Sequence, residues 1–536
     1  MQISGRGVSG GCAAGTLFVI RKEAQSISKT KIRDPQQEIA RFEKAKAAAE
    51  DQLAALYDQA VAEVGEENAA IFEMHQMLLE DTAFAEAVKD MIRDQAVGAD
   101  YAVSAVSEQL IQRFMAMDDE YMSARAADVK DITGRVLGLL CGETSEKPLL
   151  QEPVILLAED LTPGETISLD KSKVLAFVTR LGSVNSHTAI LARSMGIPAL
   201  IGADFPDDAD GKVGIADADA GLLIIDPSPE QLENYSAFLA KKDLDRKELE
   251  ALRGLDNVTL DGRRIELYAN ISSPADLPAV LANDAGGIGL FRSEFLYLGA
   301  EDYPSEEEQF EAYRQAAAAM EGRKVIIRTM DIGADKKADY FGLAPEENPA
   351  MGYRGIRISL DRPELFKIQL RAIYRAGAYG NVAVMFPMIT SVDEVRRIKA
   401  IVREVKGELE EEGKAFGDCD LGIMIETPAA VMMSEELARE VDFFSVGTND
   451  LTQYTLAADR QNPRLADLYD PHHPAVLRML EMVVKNAHAH GCKVGICGEL
   501  AADTQMTRQL LDMGFDAFSV NPAMVLEVRR KIREGI

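Results

Sequence analysis

The feature that most constrains the fold of this chain is a repeat of short apolar segments over its last 280 or so residues. Eight of these segments have the length and composition of β-strands. They are Ile265–Ile271, Gly287–Phe291, Lys324–Thr329, Val382–Met388, Gly422–Glu426, Phe443–Gly447, Lys493–Cys497 and Ala517–Val520. Stretches with helical spacing of apolar residues, such as Ser391–Glu412 and Pro474–His490, separate most of them. This alternation predicts a parallel (β/α)8 TIM barrel, with an open, doubly wound sheet as the alternative.

The first half of the chain is organised differently, because a helical segment interrupts sequence of α/β type. Residues 1–20 contain glycines and short β-rich runs. In contrast, Pro35–Cys141 is rich in Ala, Glu, Gln, Leu and Met and places apolar residues at helical spacing. Sequence typical of strands resumes at Pro153–Leu157 and Val174–Val178. The pattern predicts an α/β domain with an inserted helical bundle.

The predicted domain boundaries follow from these changes in pattern. We expect the α/β domain to comprise residues 1–20 plus 145–228, with a helical subdomain over 21–144 inserted into it. The highly charged stretch 229–256 is interpreted as a solvated linker helix. The barrel is expected to occupy residues 257–536, so the fold class as a whole is α/β.

The charge and the apolar content of the chain argue against several classes of function. The formal net charge is −30, which disfavours nucleic acid and anionic membranes as partners and favours a basic protein partner. Residues 1–4 lack the basic start of a secretory signal, and no apolar run approaches the length of a membrane span. Five scattered cysteines without a CxxC pair suit a reducing compartment. We therefore expect a cytoplasmic protein with no membrane insertion.

Charged and polar residues gather at the carboxyl ends of the predicted strands, where the chemistry of a TIM barrel is usually found. The residues concerned are Arg292, Arg328, Asp331, Glu426, Asn449, Asp450, Cys497 and Glu499. An unpaired ion at the end of a buried strand is costly, so packing alone is a poor explanation for so many of them. Any single one could still be an ordinary ion pair, and Cys497 by itself could be a small core residue.

These residue types together favour a site for a phosphorylated carboxylic acid. Two arginines on neighbouring strands, Arg292 and Arg328, can hold a phosphate and a carboxylate by paired hydrogen bonds. Glu426 and Asp450 are the kind of ligands that Mg²⁺ takes from proteins. Cys497 has no base close to it in the sequence, so its thiol should stay protonated and act as a proton donor rather than a nucleophile.

A second candidate site lies in the α/β domain, around His187. This histidine follows a predicted strand and a Gly-Ser loop, and Asn185 or Ser186 can cap the helix that begins there. In the first turn of a helix, free backbone N–H groups and the helix dipole favour an anion. The position therefore suits a phosphorylated imidazole, although a capped histidine with only a structural role is the alternative.

Long motifs in both halves resemble those of the phosphoenolpyruvate-utilising enzymes, and enzyme I of the bacterial sugar phosphotransferase system in particular. The segment Ser186–Arg193 resembles the phosphohistidine signature of that family. The motifs in the second half that look like the family's barrel motifs are Glu426–Pro428, Asp442–Tyr454 and Gly495–Ala501. Two further motifs, Arg328–Lys336 and Glu347–Arg357, look like those of enzyme I in particular. The resemblance extends over essentially the whole chain.

The resemblance implies a role for each matching residue. His187 would receive the phosphoryl group of phosphoenolpyruvate, and Cys497 would protonate the enolate of pyruvate. The remaining roles are substrate binding and Mg²⁺ binding. Substrate binding would fall to Arg292, Arg328, Arg460, Asn449 and Asp450, and Mg²⁺ binding to Glu426 and Asp450. Arg460 is assigned from the resemblance alone.

The resemblance also implies partners. The phosphoryl group would pass from His187 to the histidine-containing phosphocarrier protein HPr, docked on the helical insert, with Glu73–Glu80 as a contact helix and His75 as an interface residue. A homodimer would form through the barrel. The alternatives are a pyruvate-activating relative, such as phosphoenolpyruvate synthase or pyruvate phosphate dikinase, and a regulatory paralogue without activity. One departure from the family stands beside the histidine, where Val184-Asn185 replaces the usual Arg-Thr pair.

Overall fold

The computed structural model describes two compact units, Met1–Asp243 and Leu244–Ile536. The residues described are 1–20, 27–64, 66–80, 82–115, 120–142, 150, 152–182, 189, 192–193, 196–298, 300, 302–334, 336 and 338–535. Each unit has hydrophobic cores of its own. Within the described residues no helix is both long enough and apolar enough to cross a membrane.

The described part of the first unit contains a mixed sheet of eight strands. The strands are β1 Gln2–Ser4, β2 Arg6–Ser9, β3 Cys12–Val19, β4 Val154–Ala158, β5 Val174–Thr179, β6 Ala199–Ile201, β7 Val213–Asp217 and β8 Leu222–Ile225. Their order across the sheet is β1-β8-β7-β3-β4-β5-β6-β2. The pairs from β3 to β6 are parallel, and β4, a run of five buried residues, lies in their middle. Such continuous burial is typical of a parallel strand covered on both faces.

A group of helices is inserted between β3 and β4, which are neighbours in the sheet. Thr16 pairs with Val154, so the chain leaves the sheet after Val19 and returns to the adjacent position more than a hundred residues later. The inserted helices are α1 Pro35–Val64, α2 Glu66–Glu80, α3 Thr82–Gln95, α4 Ala99–Met115 and α5 Glu120–Cys141. They bury their own apolar core. A short helix, α6 (Pro163–Ser168), follows β4.

The longest inserted helix, α1, shows why this segment folds as a bundle. Its buried residues recur three or four positions apart, and this spacing places them on one face of a helix. They are Phe42, Ala45, Ala49, Leu53, Leu56 and Ala60. The residues between them are mostly exposed or half-buried. The apolar face packs against α2 and α5.

The second unit is a closed barrel. Its strands are β9 Glu266–Ile271, β10 Gly287–Arg292, β11 Lys324–Arg328, β12 Val382–Phe386, β13 Asp420–Ile425, β14 Phe443–Gly447, β15 Lys493–Cys497 and β16 Ala517–Val520. Every adjacent pair is parallel, and β16 pairs with β9, with Phe518 opposite Leu267. This closure excludes the open sheet, and the eight predicted strands are confirmed. Together with the inserted helices of the first unit, the barrel confirms the predicted fold class.

Helices follow the barrel strands, and one further helix contains the boundary between the two units. That helix, α7 (Pro229–Glu250), is fully described and has no buried residue, as its charged sequence indicates. The helices of the second unit are α8 Leu277–Ala282, α9 Glu306–Ala319, α10 Ile356–Asp361, α11 Pro363–Ala376, α12 Val392–Glu411, α13 Pro428–Met432, α14 Ser434–Leu437, α15 Thr448–Leu456, α16 Pro474–Ala489, α17 Glu499–Ala502, α18 Thr507–Met513 and α19 Val525–Glu534.

Side chains fill the inside of the barrel as well as the layer between strands and helices. The inner cluster contains Leu290, Ile326, Ala383, Met385, Met424 and Cys497. The larger outer cluster includes Leu267, Ile288 and Phe291, which face the helices. Since neighbouring residues on a strand point to opposite faces, Leu290 lies inside and Phe291 outside. The interior is therefore a packed core, and an open site can exist only at its ends.

We predict that truncating a core side chain of β9 destabilises the barrel far more than the same change on its surface. Leu267 is fully buried, whereas Leu281 on α8 is 44% exposed. Leu267→Ala should lower the free energy of unfolding by about 2–5 kcal/mol, because it removes buried methyl groups and leaves a cavity. Leu281→Ala, the matched control, should cost less than about 0.5 kcal/mol. Urea unfolding of both variants measures the difference, and equal losses would contradict the placement of β9.

Candidate functional site at the barrel rim

The strand register places two arginines side by side at the carboxyl end of the barrel. Arg292, the last residue of β10, is opposite Arg328, the last residue of β11. Arg292 is accessible to solvent, and its Nη1 lies 3.4 Å from the Ser272 hydroxyl. Desolvation at the mouth of the barrel, and then the positive charge of Arg328, lower the pKa of the Arg292 guanidinium. Two like charges held this close favour an anion between them.

Arg328 is held in place by two carboxylates. Its Nη2 donates to Oε1 of Glu294 at 3.0 Å, and its Nη1 lies 3.0 Å from Oδ2 of Asp331. The same Glu294 oxygen accepts the backbone N–H of Asp331 at 2.9 Å. Burial alone would lower the pKa of the Arg328 guanidinium, but Glu294 and Asp331 raise it above its usual value. The Arg328 guanidinium is thus a permanent cation, and its two carboxylate partners fix its orientation.

Asp331 joins Arg328 to a further arginine, Arg354. The Arg354 guanidinium binds both oxygens of Asp331, with Nε to Oδ1 at 3.1 Å and Nη2 to Oδ2 at 2.8 Å. Burial would raise the pKa of Asp331, but the two arginines outweigh it and lower that pKa. The Asp331 carboxyl is therefore a buried anion that is matched by two cations.

Asp450 lies at the edge of this ion cluster. It is in the first turn of α15, directly after β14, and only 8% of it is exposed. Its Oδ2 lies 3.7 Å from Nη2 of Arg354, and its Oδ1 lies 3.7 Å from Nη2 of Arg460. Both distances exceed those of a direct hydrogen bond. The Asp450 oxygens therefore lie near two arginines without forming a direct hydrogen bond to either.

Glu426 follows β13 and is almost completely buried, with 1% of its surface exposed. Its Oε1 accepts the backbone N–H of Met388 at 2.6 Å. Met388 has a φ of +57°, a conformation that costs roughly 1–3 kcal/mol for a residue with a side chain. Burial, and then the negative charges of Asp331 and Asp450, raise the pKa of Glu426. The positive charge of Arg328 acts in the opposite direction but does not outweigh them, so the surroundings of Glu426 favour a further cation.

Glu426 and Asp450 fit the needs of a divalent cation. Carboxylate oxygens are the donors that Mg²⁺ prefers, and a cation beside Glu426 would supply the charge that its surroundings lack. The described residues hold no group of three or more His, Cys, Asp and Glu side chains arranged to bind a metal. A cation at this position would therefore take its other ligands from water and substrate, as Mg²⁺ commonly does.

Cys497, the last residue of β15, lies inside the barrel with 2% of its surface exposed. Its thiol donates to the carbonyl of Val446 at 3.4 Å and accepts from the Ser445 hydroxyl at 3.4 Å. Burial raises the pKa of the Cys497 thiol, although the nearby Arg328 and Arg292 charges act in the opposite direction. The thiol is therefore protonated at neutral pH and lies close to both arginines.

Asn449 and the residues after Cys497 form a connected turn. Oδ1 of Asn449 accepts the backbone N–H of Glu499 at 3.1 Å, and the Thr448 hydroxyl donates to the carbonyl of Cys497 at 3.1 Å. Gly498 lies between these contacts with a φ of +94°, and a Cβ there would come within 2.6 Å of the Thr448 hydroxyl. The contacts fix Asn449 and Cys497 relative to each other. The Glu499 side chain itself is exposed.

Comparison with known proteins shows the family of the chain. The family model "PEP-utilising enzyme, PEP-binding domain" matches residues 246–535, and the N-terminal and mobile-domain models of the same enzymes match residues 4–125 and 150–264. A phosphoenolpyruvate-protein phosphotransferase of Haemophilus influenzae is 44% identical over 541 residues, which cover 99% of this chain and 94% of the relative. One of Priestia megaterium is 42% identical over the same shares of the two chains. The chain belongs to the family of phosphoenolpyruvate-protein phosphotransferases.

The family resemblance inferred from the motifs is thereby confirmed. Among solved structures, an enzyme I protein studied by NMR is 35% identical and covers 45% of this chain and 99% of its own, with a TM-score of 0.40. The family assignment rests on the sequence matches, which extend over both units.

The motif around His187 lies partly outside the described residues, because residues 183–188, and with them Val184-Asn185, are not among them. Its flanks are described. The strand β5 ends at Thr179, and Arg193, six positions after the histidine, lies in helix and is exposed. Nη1 of Arg193 donates to the backbone carbonyl of Val8 at 3.2 Å. The role of His187 therefore stays a prediction.

The expectation that His75 is an interface residue is wrong. Its ring is fully buried, and its Nε2 lies 3.2 Å from Oδ1 of Asp128 on α5. Helix α2 instead exposes Glu73, Met77 and Glu80, which recur at helical spacing on one face, and Met77 is 68% exposed. Helical periodicity in the sequence could not tell which face of α2 meets α5, because both faces carry apolar residues.

The structure adds residues to the site that the strand-end pattern did not single out. Arg354 lies in the long connection between β11 and α10, and Glu294 lies in the turn after β10. Arg354 fell within a family motif, and Glu294 follows Arg292 by two residues, but neither ends a strand. Only their contacts with Asp331 and Arg328 identify them as part of the ion cluster.

We predict that the turn after β15 tolerates no side chain at Gly498. Gly491→Ala is the matched control, since Gly491 has a similar positive φ of +71° but open space around the position of a Cβ. Both substitutions place a side chain at a positive φ. Only Gly498→Ala adds a clash, and Gly498 also has a ψ of −173°, which with its positive φ is a conformation essentially confined to glycine. Gly498→Ala should therefore lower the free energy of unfolding by about 1–3 kcal/mol more than Gly491→Ala. Thermal unfolding of both variants measures the difference in stability, and an equal loss of stability would contradict the described turn.

Proposed function

We propose that this protein transfers the phosphoryl group of phosphoenolpyruvate to its own His187 and then to a histidine of the phosphocarrier protein HPr. The observation that supports this most strongly is the paired register of Arg292 and Arg328 beside the buried thiol of Cys497. The arrangement offers two cations for an anionic substrate and a proton for its product. The names of the relatives, phosphoenolpyruvate-protein phosphotransferases, agree with it.

In this proposal the rim binds phosphoenolpyruvate through charge. Arg292 and Arg328 bind its phosphate and carboxylate oxygens, because guanidinium groups form paired hydrogen bonds with both. Arg460 and Asn449, which flank Asp450 at the same rim, complete the substrate site. Arg328 needs no rearrangement to do so, since Glu294 and Asp331 already hold it. Preorganised charge of this kind is the main contribution of a protein to phosphoryl transfer.

The transfer itself makes one bond and breaks one. A ring nitrogen of His187 attacks phosphorus, and the bond from phosphorus to the enol oxygen breaks, leaving its electron pair on the enolate of pyruvate. The arginines at the rim stabilise the negative charge that develops on that enolate. The sequence pattern of Ser186–Arg193 predicts that His187 lies at the start of a helix, where backbone N–H groups favour a phosphorylated imidazole.

Cys497 completes the reaction by protonating the enolate carbon, which yields pyruvate. Its thiol is protonated because burial raises its pKa, so a proton is available when the enolate forms. Arg292 and Arg328 then stabilise the thiolate, since their charges act to lower the same pKa. Water restores the proton before the next turnover. Without this step the enolate would remain able to recapture the phosphoryl group.

Mg²⁺ is the cofactor that we assign to the rim, held by Glu426 and Asp450. When bound, Mg²⁺ supplies positive charge to the phosphate oxygens of the substrate. Its two protein ligands are positioned by contacts of this chain alone. The Met388 N–H holds Glu426, and helix α15 holds Asp450 beside Arg354 and Arg460.

The carrier, the dimer and the location in the cell belong to the same proposal. HPr binds the helical insert, and the exposed face of α2 with Glu73, Met77 and Glu80 is the candidate contact because it joins acidic groups to an apolar side chain. The net charge of −30 favours a basic carrier by electrostatic steering. A homodimer through the barrel and a cytoplasmic location follow from the family resemblance. The reaction is then the first step of sugar uptake by the phosphotransferase system.

We predict that the purified full-length protein becomes labelled by radioactive phosphoenolpyruvate in the presence of Mg²⁺, and that added HPr removes the label and becomes labelled itself. The label should be acid-labile, because a phosphoramidate bond to histidine is cleaved by acid. Autoradiography of denatured samples measures both steps. EDTA should abolish labelling, since Glu426 and Asp450 then lack their cation.

Two controls define the outcome of the labelling experiment. His187→Ala should take up no label, and His75→Ala should still be labelled by phosphoenolpyruvate because His75 is buried in the helical insert. Label on the His187→Ala protein, or no label on the native protein, would overturn the proposed function. Labelling of the protein without transfer to HPr would leave the first step in place and exclude HPr as its partner.

We predict that Cys497→Ala lowers the rate of pyruvate formation by about 10²- to 10⁴-fold, the usual effect of removing a general acid. The KM for phosphoenolpyruvate should change little, because the arginines remain. Cys492→Ala is the matched control. Cys492 is equally buried, but it lies directly before the first residue of β15, at the end of the strand away from the rim, and its thiol bonds to the backbone carbonyl of Lys493. A coupled pyruvate assay measures both variants, and unimpaired turnover by Cys497→Ala would exclude the thiol as the proton donor.

A further inference from the structure

A buried glutamine behind the rim connects two of its strand ends. Gln369 lies on α11, on the helical side of the barrel, with 2% of its surface exposed. Its Oε1 accepts the backbone N–H of Met330 at 3.0 Å. Its Nε2 donates to the hydroxyls of Ser293 at 3.0 Å and of Tyr313 at 3.1 Å. One amide therefore holds the segment after β10 and the segment after β11 at the same time.

The two held residues are next to the ion cluster in the chain. Ser293 stands between Arg292 and Glu294, and Met330 stands directly before Asp331. The Glu294 oxygen that binds Arg328 also accepts the Asp331 N–H, so any movement between the two segments would pull on that shared contact. Gln369 fixes the same pair of segments from the opposite side. It contacts none of the charged groups themselves.

We propose that Gln369 is a positioning residue for phosphoenolpyruvate binding, which keeps Arg292 and Arg328 at the spacing that the substrate requires. The inference rests on the proposed function, because it presumes that these arginines bind phosphoenolpyruvate. A small change in the placement of binding groups is costly in this type of reaction, since transfer depends on alignment.

The chemistry of the position requires an amide. The Met330 N–H needs a hydrogen-bond acceptor, and the hydroxyls of Ser293 and Tyr313 accept hydrogen bonds. A primary amide provides the acceptor oxygen and the donor N–H groups in one side chain. An apolar side chain of similar size would leave the Met330 N–H buried without a partner. The segment after β11 would then shift to find one, and Arg328, two residues before Met330, would shift with it.

The test compares Gln369→Met with Gln309→Met. Gln309 on α9 is equally buried, with 1% exposed, and binds the hydroxyls of Tyr297 and Tyr313 and the carbonyl of Pro304, but neither Ser293 nor Met330. Tyr313 is a partner of Gln369 as well, and Tyr297 lies later in the turn after β10, so the two variants differ in their contacts with Ser293 and Met330. Both variants lose a buried amide, so both should lose thermal stability. Only Gln369→Met should lower kcat/KM for phosphoenolpyruvate, roughly tenfold and mainly through KM. The KM for HPr should stay at the native value, because the helical insert is unaffected.

The Ser293→Ala variant and a hydrogen-exchange measurement complete the test. Ser293→Ala removes one contact of Gln369 at little cost to the fold. It should raise the KM for phosphoenolpyruvate, as Gln369→Met does. Hydrogen exchange should be faster at the Met330 amide in Gln369→Met and unchanged in Gln309→Met. Native KM for phosphoenolpyruvate in both Gln369→Met and Ser293→Ala would overturn the proposal. If the native protein does not use phosphoenolpyruvate at all, the proposed function fails, and the exchange result still tests the contact.

Discussion

A charge buried away from water must be matched by an opposite charge, and the rim of this barrel is organised around that constraint. Arg328 is matched by Glu294 and Asp331, and Asp331 is matched again by Arg354. Glu426 is the exception, because its nearest charged neighbours include two carboxylates that raise its pKa. The charges of the cluster therefore nearly cancel in total, but they are unevenly distributed within it. Its positive part suits an anionic substrate, and the part around Glu426 suits the cation that we propose.

The closed barrel fixes the positions of the charged residues in this ion cluster relative to one another. Parallel strands in a closed sheet place their carboxyl ends at one rim, so residues separated by tens of positions in the chain become neighbours. The paired register of Arg292 with Arg328 is a direct consequence. Behind the rim, the amide of Gln369 and the oxygen of Glu294 each bind two segments at once. The segments that carry the charged side chains are thus held together by a helix side chain and by a neighbouring carboxylate.

In the proposed function, the first unit has to provide both the His187 motif and a surface for the carrier protein. Inserting the helices between β3 and β4 leaves the sheet intact, since the two strands are parallel neighbours. The helices have a core of their own and so present an independent face to solvent. The burial of His75 against Asp128 belongs to that core, which explains why a histidine in a candidate contact helix is inaccessible.

The eight barrel strands, the interrupted α/β domain and the residues that end strands could be predicted from the sequence, because apolar periodicity and chain order are local properties. For the same reason the sequence predicted Arg292, Arg328, Glu426, Asp450 and Cys497 as site residues, whereas Arg460 came from the family resemblance alone. The three-dimensional contacts were needed to find which carboxylates pair with Arg328, that Arg354 binds Asp331, and that His75 is buried. Those contacts join residues from different strands, turns and helices. Their partners are chosen by closure of the barrel and by helix packing, which no local pattern in the sequence records.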